Sequence, residues 1–483
     1  MNANTSTKAN SPFSQDFYQS IKNELFNDIL PYWEAHARDT RSGKEGFFGA
    51  IDNENSPDSE KERSIVMTSR FLWTYSAVAR LTHDARYLPM ADFAYQTITQ
   101  KYWDRENAGV YWSVLTDGSP KVSKKQIYGE AFCCYGLSEY AAAVKELREL
   151  REEGEVSLRS ELRSSLLRNC QSQFLTSDNS SVGESLPLGC TSSQPTPSNG
   201  GQAPRSAHLS EEAANLALDL FNLLEKHARD IEAGGYVEAR ARDWSQTDDM
   251  ILSPKDMNCP KSMNTNLHVM EAYTNLYRTL PVVFPDAKAI RAEVGDSLAD
   301  LVRITVDKIL QPNAHLGMFF DMNWKLLAEE ISYGHDIEAS WLLWEAACEL
   351  EDEELKSEIR DTVIRVAQVA LDEGFDHENG CMENFLLPPN RRDRTRVWWN
   401  QAESINGFYN AWEMTGEEKY SDAVIKNWKW IQDYQIDKKG GEWWNVVAPD
   451  GTPLQNEDKG GNWKTSYHNG RTCIELLRRS ETL

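Results

Sequence analysis

Apolar residues recur at three- and four-residue spacing in blocks along the chain: Phe71-Leu72-Tyr75-Val78-Ala79, Ala131-Phe132-Tyr135-Leu137, Leu267-Met270-Tyr273 and Ile337-Trp341-Leu342-Trp344. That period puts each block on one face of an α-helix. Between the helical blocks a second pattern returns, a glycine followed by aromatic residues and a turn. It reads Gly46-Phe47-Phe48-Gly49, Gly109-Val110-Tyr111-Trp112, Gly235-Tyr236, Gly317-Met318-Phe319-Phe320, Gly380-Cys381 and Gly441-Glu442-Trp443-Trp444. These glycines stand 63, 126, 82, 63 and 61 residues apart. The long interval holds a stretch from about 152 to 207, rich in Ser, Pro, Gly and Asn from Gln171 onward; without it 126 falls to 70. Six units of similar length remain, the signature of a repeat architecture. Two helices per unit joined by an aromatic turn predict an all-α fold, an (α/α)6 barrel of inner and outer helix rings. An open solenoid would need a polar terminal unit, and here the last unit is among the most distinctive. The 152–207 stretch is expected as a disordered or mobile surface insertion, since it lacks the apolar residues for a core of its own. Residues 1–20 read as a polar tail and 21–483 as a single barrel domain around that insertion.

Charge and composition narrow the partners. The net charge of −24 argues against a general nucleic-acid binder and against adhesion to anionic membranes. No run of about 18 apolar residues suggests a membrane span, and the N-terminus lacks the apolar core of a secretory signal. A cytoplasmic protein, monomer or homodimer, is expected. The eight cysteines form neither a CxxC pair nor a zinc-spaced cluster, so they are expected as reduced thiols. The 16 Trp residues suit a core, but equally a pocket for sugar rings, whose C–H faces match an indole.

The histidines carry the candidate chemistry. His268 shares one helical face with Asn264 and Glu271, spaced four and three apart. His335 follows Gly334 at an expected helix start, with Glu338 placed to orient its ring. His468, in Trp463-Lys464-Thr465-Ser466-Tyr467-His468, precedes a helix expected from Thr472 to Arg479. A helix N-terminus disfavours imidazolium and keeps histidine neutral, as a base must be. Arg70, Tyr128, Glu130, Trp399 and Glu403 also fall at helix starts. In a helical barrel these starts surround one mouth, so groups far apart in sequence converge on one pocket.

The motifs SRFLWTYS around Arg70, YGEAFCCYGLSEYA around Tyr128, NTNLHVMEAYTNLYR around His268, SYGHDIEASWLLWEA around His335, WWNQAE around Trp399 and WKTSYHNGR around His468 resemble those of the cellobiose 2-epimerases, in the acylglucosamine 2-epimerase superfamily. The resemblance runs from about Gly46 to Arg479, the insertion excepted. It implies an (α/α)6 barrel and cofactor-free epimerisation at C2 of the reducing-end sugar of a disaccharide or oligosaccharide, with no metal. Carried over by position, His335 and His468 form the acid/base pair, with His268 a third functional histidine and Arg70 beside them. Tyr128, Asn264, Glu271, Glu338, Trp399, Glu403 and Trp463 are then expected to line the sugar site. Glu130 stands where the family often has Gln, which would add a charge near the pocket.

The chemistry follows from the residues. A sugar C2–H is acidic only beside a carbonyl, so the ring opens to the C1 aldehyde first. One base takes the C2 proton, an enediolate forms near a cation such as Arg70, and a second acid returns a proton to the opposite face. Protonation at C1 instead would yield a ketose. The alternatives are a monosaccharide 2-epimerase or aldose–ketose isomerase of the same superfamily, a glycoside hydrolase using a carboxyl pair, or a non-catalytic sugar-binding module.

Overall fold

The computed structural model describes residues 11–149 and 205–480. Twelve helices alternate between two rings among the described residues. The inner ring comprises Ile65–Thr82, a helix over 127–149, Met263–Val283, Tyr333–Glu349, Trp398–Thr415 and Tyr467–Ser480. These helices are buried on nearly every face, as a helix apolar all round must be. Neighbours pack in chain order, and Tyr467–Ser480 closes the circle against Ile65–Thr82. The 127–149 helix is tied to its neighbours through Arg80 to Glu139 (2.9 Å) and Asn275 to Ser138 (2.8 Å). The fold is an (α/α)6 barrel.

Outer helices such as Glu353–Val369 and Glu418–Trp430 bury one face and expose the other. Four of them end in a widened π turn, at Ile98–Tyr102, Thr305–Ile309, Ala370–Gly374 and Ile431–Gln435. The chain then enters the short hairpin that carries the repeated glycine. A feature not read from the sequence recurs here. An aspartate at the hairpin turn reaches a cation just ahead of an inner helix: Asp39–Arg63 (2.5 Å), Asp104–Lys125 (3.2 Å), Asp230–Lys261 (2.6 Å), Asp376–Arg396 (2.6 Å) and Asp437–Lys459 (2.5 Å). The cations in these pairs are at most 2% exposed. The unit carrying His335 departs from this, with Gln311 at the turn and Ile331 before the helix.

The N-terminal expectation needs correction. A helix capped by Ser14 starts at Gln15, within the stretch read as a polar tail, and Phe13 is buried against Tyr409 and Trp412. Most of the 152–207 insertion lies outside the described residues; the helix Arg205–His227 begins at its end. No helix among the described residues is long and apolar enough to cross a membrane.

Candidate active site

All six inner helices start at the same end, around a pocket of about 560 Å³. That volume falls in the range of small-ligand sites. Arg70, Tyr128, Asn264, His268, His335, Glu338, Trp399, Trp463 and His468 line it. The side chains come from every inner helix or from the segment just before it, which is how residues 400 positions apart meet.

His468 sits in the first turn of Tyr467–Ser480, a helix that starts five residues earlier than the sequence suggested. Its Nδ1 lies 2.7 Å from Glu403 Oε1. That carboxylate also accepts Arg471 Nη2 (2.6 Å) and Trp341 Nε1 (3.0 Å); a carboxylate oxygen only accepts, so the imidazole Nδ1 donates. The same logic holds for His268, whose Nδ1 is 2.7 Å from Glu271 Oε2. Glu271 is fixed as a carboxylate: burial alone would raise its pKa, but Arg471 and His268 hold it down at about 2. Arg471 and the Tyr467 hydroxyl both donate to its other oxygen. In both histidines Nε2 is left with the lone pair, the base-competent tautomer.

His335 is oriented differently from expectation. Its Nδ1 bonds Ser332 Oγ at 2.7 Å, not Glu338. Ser332 occupies the N-cap position of Tyr333–Glu349, yet its hydroxyl serves the imidazole and makes no cap bond. Glu338 instead accepts Arg471 Nη2 at 2.7 Å and lies 4.0 Å from His468 Nδ1. The Trp399 indole contacts both remaining rings, 4.6 Å from His335 and 5.8 Å from His468 between centroids.

Burial sets the protonation states. It pushes His335 down to about 3, helped by the neighbouring His268, and pushes His468 well below its ordinary value, helped by Arg70 and Arg471. Burial also lowers His268, against the opposing pull of Glu271. All three imidazoles are neutral near pH 7. Glu338 moves the other way: burial, then the adjacent Glu403, raises its pKa well above the carboxylate range and keeps it a neutral acid.

Arg70 is held flat. It donates to the Trp463 carbonyl (2.5 Å) and to the Tyr128 hydroxyl (3.0 Å), and its guanidinium lies over Phe132 at 4.5 Å. Its buried Nε has no partner among the described residues, and neither do Asn264 Oδ1 or Trp398 Nε1. Among the described residues, Glu338, Glu403 and His468 bring ligand atoms within 4.8 Å of one another. Arg471 already bonds both glutamates and supplies the local positive charge.

Three expectations change. Glu271 and Glu403 do not line the pocket; they stand behind its wall and orient His268 and His468. Glu130 adds no charge there. It is fully buried beneath the second hairpin, where both its oxygens accept the Val110 N–H (3.1 Å), and burial raises it to about 8. Arg471, which joins Glu271, Glu338 and Glu403, is a functional residue the sequence reading does not single out, although it sits one helical turn beyond His468 in the WKTSYHNGR motif.

The chain matches the family model of N-acylglucosamine 2-epimerase (GlcNAc 2-epimerase) over residues 46–178 and 203–471. It is 35% identical to the cellobiose 2-epimerase of Bacteroides fragilis over 460 residues, covering 95% of this chain and 98% of that one. The solved structure of cellobiose 2-epimerase from Spirochaeta thermophila matches with a TM-score of 0.76 at 32% identity, across 97% of both chains. A GH76 alpha-mannanase of Bacteroides thetaiotaomicron shares the fold alone, with a TM-score of 0.56 at 10% identity.

Proposed function

Because this chain belongs to the N-acylglucosamine 2-epimerase family, and is a carbohydrate epimerase, we propose that it inverts C2 of the reducing-end sugar of β-1,4-linked disaccharides. Cellobiose would become glucosyl-mannose, and lactose would become epilactose. The observation that carries this reading is the pair of neutral imidazoles, His335 and His468, on one pocket with Trp399 against both rings.

The sugar ring opens to its aldehyde, with the neutral Glu338 offering an O–H donor to a sugar oxygen. One of the two histidines removes the C2 proton, which beside a carbonyl is acidic enough for an imidazole base. The resulting cis-enediolate carries negative charge, and Arg70, pinned by Trp463 and Tyr128, is the fixed cation that stabilises it. The second histidine, which takes the sugar's O1 proton as the ring opens while Glu338 protonates the ring oxygen, delivers that proton to the other face. A base on each side lets C2 invert without a large rotation of the intermediate. Glu403 and Glu271 stabilise the imidazolium forms of His468 and His268 and keep Nε2 directed inward. Trp399 and Trp463 provide apolar walls for the sugar.

Incubation with cellobiose, lactose and mannose in D2O tests the reading. Deuterium at C2 together with a new epimer is the expected result. Monosaccharide release from cellobiose would point to hydrolysis and unchanged sugar to binding only; either overturns the proposal. Product from mannose but not from the disaccharides would move the activity to a monosaccharide epimerase or isomerase.

A further inference from the structure

The second and third hairpins close on two successive residues with left-handed backbone, five residues after an aspartate. They are Ala108 (φ 59°) with Gly109 (φ 70°), and Gly234 (φ 79°) with Gly235 (φ 74°). The last hairpin repeats this turn after Asp437, with Gly441 (φ 77°) first, but puts Glu442 (φ 65°) in the second position. Glycine adopts this backbone freely, whereas a residue with a Cβ does so at a cost. Strain of this kind persists where surrounding contacts over-determine it, and it marks functional regions.

The direction of that side chain is set by the turn. A Cβ added to Gly109 would come within 3.0 Å of the Glu130 carboxylate, and one added to Gly235 within 2.8 Å of Asn266 Oδ1. The position therefore points at the first turn of the next inner helix. In four units the helix answers with an acceptor for the hairpin backbone: Glu130 for Val110 N–H, Asn266 for Tyr236, Asp336 for Leu316 and Gln401 for Met382. In the last unit the arrangement is reversed, and the hairpin supplies the carboxylate. Glu442 is fully buried. Its Oε2 accepts Trp33 Nε1 at 2.5 Å, and its Oε1 accepts both Lys464 Nζ and Asn469 Nδ2 at 2.8 Å. Lys464 follows Trp463, whose carbonyl holds Arg70, and Asn469 follows His468. One carboxylate thus pins both ends of the strap that carries two pocket residues.

We infer that Glu442 is a positioning residue for the epimerisation proposed above, fixing the 463–469 strap so that His468, Trp463 and Arg70 keep their register around the sugar. This inference rests on that functional reading. The unfavourable backbone at Glu442 is retained because a side chain at this turn position reaches both ends of the strap.

The test uses Glu442→Gln, which keeps shape but removes charge, with Asn469→Ala and Lys464→Met to cut the two pins separately. Deuterium exchange at C2 of cellobiose is followed with kcat and KM, alongside thermal unfolding. Glu442→Gln and Asn469→Ala are expected to lower kcat on the order of 10²-fold, the cost of a displaced catalytic group. Lys464→Met is expected to raise KM through the Trp463 wall and to lower kcat through Arg70. A folded Glu442→Gln with wild-type kcat and KM overturns the inference. Should that variant fail to fold, wild-type kcat in Asn469→Ala overturns it. A wild-type protein that exchanges no deuterium overturns the functional reading, and this inference with it.

Discussion

At the end of the inner ring away from the pocket, Arg80 reaches Glu139 and Glu146, Arg278 reaches Glu345, Glu349 and Asn275, and Arg479 reaches Glu413. At the pocket end, Arg471 joins Glu271, Glu338 and Glu403. Both ends are built from guanidinium and carboxylate, on the same six helices. They differ in what is left over. At the far end the contacts are ion pairs between neighbouring helices, whose return is rigidity. At the pocket end the carboxylates pass their restraint on to imidazoles, fixing Nδ1 and leaving Nε2 open. Among the described residues, Arg70 Nε, Asn264 Oδ1 and Trp398 Nε1 are likewise left unpartnered. A barrel can therefore use one kind of interaction for stability at one end and for preorganisation at the other.

Substitutions at the two ends sharpen that contrast. His335→Ala or His468→Ala is expected to reduce C2 deuterium exchange by about 10³-fold or more, the scale of a lost general acid or base. Thermal unfolding should stay close to wild type, and near-normal turnover in either variant would refute the pairing. Glu403→Gln replaces an acceptor with an amide that can turn its N–H toward His468 and favour the wrong tautomer. A fall in kcat of about 10²-fold is expected, read in steady-state kinetics. Arg278→Met at the far end should do the reverse. Leaving Glu345 and Glu349 without their cation should cost about 2 kcal/mol in urea unfolding, part of the charge being solvent-screened, with kcat per folded molecule unchanged.

The smallest effect on activity concerns Glu130, which supports the second hairpin and does not face the sugar. Its pKa is raised from 4.5 to about 8, so the folded state holds a proton that the unfolded chain releases between those values. Stability from this group is complete below about 4.5 and declines as pH rises toward 8, by up to about 1.4 kcal/mol per pH unit. Glu130→Gln should flatten that decline in urea unfolding measured from pH 5 to 8. Activity should remain within about twofold, a surface-like tolerance expected of a residue outside the pocket.

The six-unit period was legible because the hairpin glycines and aromatics repeat with little drift, and because the inner helices are apolar enough to announce themselves. The pocket set was legible because Arg70, Asn264, His268, His335 and His468 fall near the starts of inner helices and stand out against apolar neighbours. What could not be read was direction. Whether Glu338 serves His335 or Arg471 depends on which way a helix is rotated in the ring, and Ser332, at the N-cap position, gives its hydroxyl to an imidazole instead. Glu130 stands two positions after Tyr128, and that offset turns its side chain away from the pocket to the hairpin.

The inner ring is also plugged along its axis. Beneath the histidines, Trp73 stacks on Tyr135 (5.1 Å, 11°), Tyr467 closes edge-on against both, and the arginine–glutamate ties lie below them. The well has a floor, so whatever enters must leave by the same door. An oligosaccharide would dip one terminus inside while the remainder stays outside, and no internal unit of a polymer could thread past. Chain ends, and not chain lengths, would be counted by such an enzyme.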